Sequence, residues 1–87
     1  MPTRPPTSRA IEAWLVARIG QLLTIEPAAI DPNQPFAEYG LGSLQALELS
    51  GALEEWLGLR LPATLAWEYP TVRLLSAHLA EQIGSSR

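Results

Sequence analysis

Three stripes of apolar residues at helical spacing, separated by prolines, constrain this chain more than anything else in it. Ile11, Leu15, Ile19 and Leu22 recur three or four apart; so do Ala46, Leu49, Leu53 and Leu57, and again Val72, Leu75, Leu79 and Ile83. Each set shares one side of a helix and can leave water only by packing against another such side. Pro27, Pro32 and Pro35 forbid a continuous helix between the first two stripes. Pro62 and Pro70 interrupt the chain before the third. The expectation is an all-α bundle of three to four helices. The first helix should start near Ser8 and end before Pro27, and the second should run from about Ser43 to Leu57. The last should follow a capping Thr71 and end at Gly84.

The connections carry their own signals. The stretch from Thr24 to Gly42 is long for a bundle and holds Ile25, Ile30 and Phe36, which a solvated linker would not need. It should lie across the bundle with those residues anchored on the core and a turn at Asp31-Pro32. Gly58 is placed to end the second helix, after which Leu59 and Leu61 alternate around Arg60 as a short extended piece. Ala63 to Glu68 can form one helical turn or a short third helix, closed by Tyr69-Pro70. Met1 to Thr7 contains three prolines and no apolar period, so residues 1–7 read as a flexible leader or linker remnant. That leaves one domain over 8–84 and a polar tail at 85–87.

A chain of 87 residues buries one modest core and leaves little material for a walled catalytic pocket. Without cysteine, disulfides and thiolate metal sites are excluded, and any thiol the protein uses must be imported. No run approaches the roughly 20 apolar residues of a membrane span, and Met1 to Ser8 lacks the apolar centre of a secretory signal. A cytoplasmic monomer is the expectation. The net charge of −3, with six arginines and no lysine, argues against nucleic acid as a partner and favours basic protein surfaces. Arginine without lysine also accords with a GC-rich genome.

The segment Tyr39-Gly40-Leu41-Gly42-Ser43-Leu44 places one hydroxyl where a glycine-bearing turn becomes a helix. Free backbone N–H groups and the positive dipole end favour a phosphate attached there. Read alone, Ser43 is more readily a plain helix cap, worth roughly 1 kcal/mol, than a functional hydroxyl. The only histidine, His78, has no second ligand for a metal and no evident route to Ser43 as a base. The segment also differs from the G-x-S-x-G elbow of hydrolases, so no catalytic residues and no metal site are expected. Trp14 should ride the edge of the first helix, Trp67 should complete the core, and Trp56 should be partly exposed.

Beyond Ser43 the run continues to Glu48-Leu49, then Leu59-Arg60-Leu61-Pro62-Ala63-Thr64, then Tyr69-Pro70-Thr71-Val72. This pattern resembles the acyl carrier protein family, most closely carrier domains of modular polyketide synthases, with their G-L-D-S-L box, L-P-A-T-L stretch and Y-P-T turn. The resemblance spans about Ile11 to Ile83, with Gly42 standing where the family usually has aspartate. It implies a carrier-type bundle with Ser43 as the attachment point for a covalent 4'-phosphopantetheine arm that holds acyl groups as thioesters. It also implies partners: a phosphopantetheinyl transferase, a loading enzyme (an acyltransferase or fatty acyl-AMP ligase), and a ketosynthase or other synthase domains. The run Leu53-Glu54-Glu55-Trp56-Leu57-Gly58 is similar to carriers served by fatty acyl-AMP ligases. On the same grounds Leu44, Leu47, Glu48, Glu54, Glu55 and Trp56 are the candidate docking residues. A peptidyl carrier and an unmodified carrier-like adaptor stand as alternatives.

Overall fold

A computed structural model describes residues 6–62 and 64–85. Four helices follow in order: α1 (Ser8–Leu23), α2 (Ser43–Leu57), the single-turn α3 (Leu65–Glu68) and α4 (Val72–Ser85), with no strand among the described residues. Thr7, expected to belong to the leader, instead caps α1, its Oγ1 accepting the Ala10 N–H at 3.1 Å. Met1–Pro5 of the expected leader lie outside the described residues, as do Ala63, Ser86 and Arg87. Thr71 caps α4 as its position suggested, with Oγ1 accepting from Leu74 N–H. Gly84 does not end that helix, which runs through Ser85.

The apolar stripes become the core. Ile11, Leu15 and Ile19 of α1 meet Leu49 and Leu53 of α2 and Val72, Leu75 and Leu79 of α4, all fully buried. α1 and α2 run antiparallel: Trp14 stacks on Trp56 near one end, while Leu22 and Glu48 line a shared groove toward the other. Their rings are 4.9 Å apart and within 3° of parallel, so both indoles are packing groups, with Trp56 still 40% exposed. Trp67 departs from expectation. α3 is a single turn that commits Leu65 and Ala66 to the core, and the next position, Trp67, faces outward at 55% exposure.

The crossing segment contains two short 3-10 turns, Pro27–Ala29 and Phe36–Tyr39, that apolar periodicity did not reveal. Ile30, Phe36 and Leu41 anchor it in the core, and Ile25 packs half-buried against them. Backbone bonds then stitch it to the start of α4. Phe36 N–H donates to Pro70 C=O at 2.8 Å, and Arg73 N–H donates to Pro32 C=O at 2.9 Å. Tyr39 adds a side-chain tie, its hydroxyl donating to the Asp31 carbonyl. The loop thereby becomes a fixed strap leading directly into α2.

Candidate functional site

Ser43 is the first residue of α2 and is exposed. Two features of the strap put it there. Leu41, buried beneath the turn, donates its N–H to Phe36 C=O at 3.3 Å, and Gly40 turns the chain with φ 89°, a conformation open to glycine without strain. Gly42 then takes the N-cap position in an extended conformation. Its own N–H is taken by Gln45 Oε1 at 3.0 Å, and its carbonyl accepts the first helical bond from Ala46. This is the returning half of a capping box only: glycine has no side-chain oxygen to offer the amides of the first turn. An exposed hydroxyl therefore sits beside uncapped N–H groups at the positive end of a fifteen-residue helix.

No histidine or carboxylate of the described residues is hydrogen-bonded to Ser43. His78 lies on α4 with its ring stacked on Tyr69, centroids 4.0 Å apart. The described residues contain no group of three His, Cys, Asp or Glu side chains able to hold a metal.

Of the residues expected at a docking surface, Leu44, Leu47, Glu48 and Glu55 share the exposed side of α2 with Ser43, Leu44 at 68% and Leu47 at 54% exposure. Exposed Gly51 leaves a gap in that face, and an open groove of about 500 Å³ runs beside it against Arg18 and Gln21 of α1. The sequence reasoning did not include Arg18 and Gln21. Both flank Leu22 at the edge of the buried stripe of α1, where apolar spacing alone does not mark a groove. Trp56 lies on the flank of this face, half committed to Trp14. Glu54 does not belong with the others. It is half-buried, and its Oε2 accepts the Leu61 N–H at 2.7 Å, so the carboxylate ties the end of α2 to the following connector. Sequence spacing gave no hint of that tie, because it joins residues seven apart across a helix end.

Residues 13–79 match the family described as the phosphopantetheine attachment site. The chain belongs to this family. Erythronolide synthase EryA3 of Saccharopolyspora erythraea is 39% identical over 85 residues, covering 97% of this chain and 3% of the synthase. This chain therefore spans only a few per cent of the curated relatives it matches. Among solved structures, a free-standing peptidyl carrier protein from Acinetobacter baumannii superposes with a TM-score of 0.85 at 37% identity, over 87% of this chain and 95% of that one. An acyl carrier protein from Anabaena, described as having a variant phosphopantetheinylation-site sequence, gives 0.83 at 38% identity, over 95% and 96%. The chain is a carrier domain of a non-catalytic family that holds 4'-phosphopantetheine covalently on a serine, and its sequence relatives are polyketide synthases. No described helix is long and apolar enough to cross a membrane.

Proposed function

We propose that Ser43 is the serine that carries the arm, and that the domain presents acyl groups as thioesters on it to the enzymes of a polyketide or related fatty-acyl-derived assembly. The observation that supports this most is the pairing of an exposed Ser43 hydroxyl with an uncapped helix start, inside the segment that matches the family. The residues present fit a phosphodiester: the Ser43 hydroxyl is exposed, and no side chain caps the first-turn amides of α2. The first-turn amides of α2 would face the phosphate oxygens. Bound there, the arm supplies the thiol that this cysteine-free chain lacks. Ser43 Oγ forms the new bond to phosphorus and gives up its proton, and the nucleotide part of coenzyme A departs. The partners are a phosphopantetheinyl transferase, a loading acyltransferase or fatty acyl-AMP ligase, and ketosynthase or other synthase domains. Their basic surfaces would meet Leu44, Leu47, Glu48 and Glu55. The reading places the domain in the cytoplasm, with its supply of coenzyme A.

Intact mass after incubation with coenzyme A and a broad-specificity phosphopantetheinyl transferase tests the assignment. Wild type should gain one arm and Ser43→Ala none. Addition to Ser43→Ala, or no addition to either wild type or Gly42→Asp, would sink it and favour an unmodified adaptor.

A further inference from the structure

The chain contains six arginines, no lysine and no cysteine. Arg9, Arg18, Arg60 and Arg73 are all exposed, Arg18 lying over the Trp14 ring and Arg73 paired with Glu12. The difference from lysine is chemical. A thioester is lost to a neutral amine when the nitrogen attacks the carbonyl: the C–N bond of an amide forms, the C–S bond breaks, and the departing thiolate takes up the amine proton. Lysine reaches that state as pH rises, whereas a guanidinium stays protonated and has no free lone pair. A tethered thioester also meets its own carrier at an effective concentration on the order of millimolar, so any surface amine in reach would be a standing competitor of the partner enzymes.

We propose that this domain is chemically inert toward its own cargo. An acyl thioester on the Ser43 arm finds no side-chain amine or thiol on the domain that carries it, so self-acylation of a lysine or cysteine is closed as a route of loss. The inference rests on the Ser43 reading. Of the other nucleophilic side chains, His78 lines a shallow open groove beside Leu74 and Glu81, while Tyr39, Ser50 and Ser76 are held within the fold. The His78 ring is half-buried against Tyr69. The Tyr39 hydroxyl donates to a carbonyl and, half-buried, keeps its proton to higher pH than usual. Ser50 and Ser76 are buried, the latter donating to Arg73 C=O. Whatever codon usage lies behind the arginines, the consequence suits cargo that must wait through successive partner visits.

The test introduces the missing nucleophile on either side of Ser43. Ala37→Lys and Leu47→Lys both alter exposed positions, one in the turn before α2 and one a helical turn after Ser43. Wild type and both variants are loaded with an acetylated arm, checked by intact mass, and held at about pH 9, where a few per cent of lysine side chains are neutral. Hydroxylamine then strips thioesters and leaves amides. Wild type should lose acetyl to water and end with no hydroxylamine-resistant acetyl on any side chain. At least one lysine variant should convert most of its lost thioester into a resistant acetyl that peptide mapping places on the new lysine. Resistant acetyl on a wild-type side chain would overturn the proposal. So would its absence from both loaded lysine variants, since the arm would then never reach its own surface. If neither wild type nor Gly42→Asp gains an arm, the Ser43 reading falls, and this one with it.

Discussion

Single residues show where this fold is under strain and where it is held. Thr24 ends α1 at φ 57°, a left-handed conformation that a β-branched residue adopts at a penalty of roughly 1–2 kcal/mol. Gly20 explains why the chain turns back there. A Cβ on it would stand 2.8 Å from the Ile25 carbonyl oxygen, while Ile25 N–H is bonded to Gly20 C=O. Thr24→Gly should therefore raise stability by about 0.5–1 kcal/mol, the relieved strain less the extra freedom of an unfolded glycine. Gly20→Ala should lower stability despite a helix-propensity gain of about 1 kcal/mol, because backbone must shift. Urea midpoints compared with wild type give both signs directly. Glu54 is the corresponding holding residue. Glu54→Ala removes the acceptor of the Leu61 N–H and should cost about 1–2 kcal/mol. Glu54→Gln keeps an acceptor and should cost less. Amide exchange at Leu61 distinguishes this tie from a general loss of charge, since only the alanine variant should lose protection there selectively.

At the scale of elements, α1, α2 and α4 were legible in the sequence because burial imposes its period on each; α2 and α4 matched their expected bounds to within a residue, while α1 ends at Leu23, ahead of the Pro27 limit. The place of Ser43 was legible for the same reason: glycines mark the entry, and the stripe beginning at Ala46 fixes the phase of α2. What could not be read was tertiary pairing. The 3-10 turns of the strap are too short to have a period, and Glu54 is drawn from the acidic surface by a backbone N–H seven residues away. Trp67 turned outward because α3 is one turn long and its two core positions were already filled by Leu65 and Ala66. The strap yields a pH prediction. Burial raises the Tyr39 phenol above its ordinary 10.0, and the nearby negative charges of Asp31 and Glu38 push the same way. The hydrogen bond to Asp31 C=O exists only while the phenol keeps its proton. Since the folded state holds that proton more tightly than the unfolded chain, stability from Tyr39 is fully present below about pH 10. It is lost as pH rises through the higher folded value. Denaturant titrations at neutral and alkaline pH should show Tyr39→Phe less stable than wild type at neutral pH, with the gap narrowing in alkali. A constant gap would show that the phenol does not couple to folding.

The whole molecule divides its work between two sides of one helix. α2 gives Ala46, Leu49 and Leu53 to the core and turns Ser43, Leu44, Leu47, Glu48 and Glu55 to solvent, so folding and presentation draw on different residues of the same segment. A domain this small has a stability of about 5–10 kcal/mol, and one large core truncation takes away a sizeable part of it. Leu49→Ala, at a side chain 1% exposed, should cost about 2–5 kcal/mol, enough to bring partial unfolding near physiological temperature. Leu44→Ala, next to Ser43 and largely exposed, should change stability by no more than about 0.5 kcal/mol. It should nevertheless slow arm transfer to Ser43 if, as proposed, Leu44 is part of the surface that docks the transferase. Charge acts on the same event from further away: Glu48→Gln should lower the transfer rate at low salt and matter little at about 1 M, where screening falls to roughly 3 Å. Urea unfolding and timed mass spectra on the same preparations separate the two sides. The division fails if Leu44→Ala unfolds with Leu49→Ala, or if it leaves both stability and transfer rate at the wild-type value.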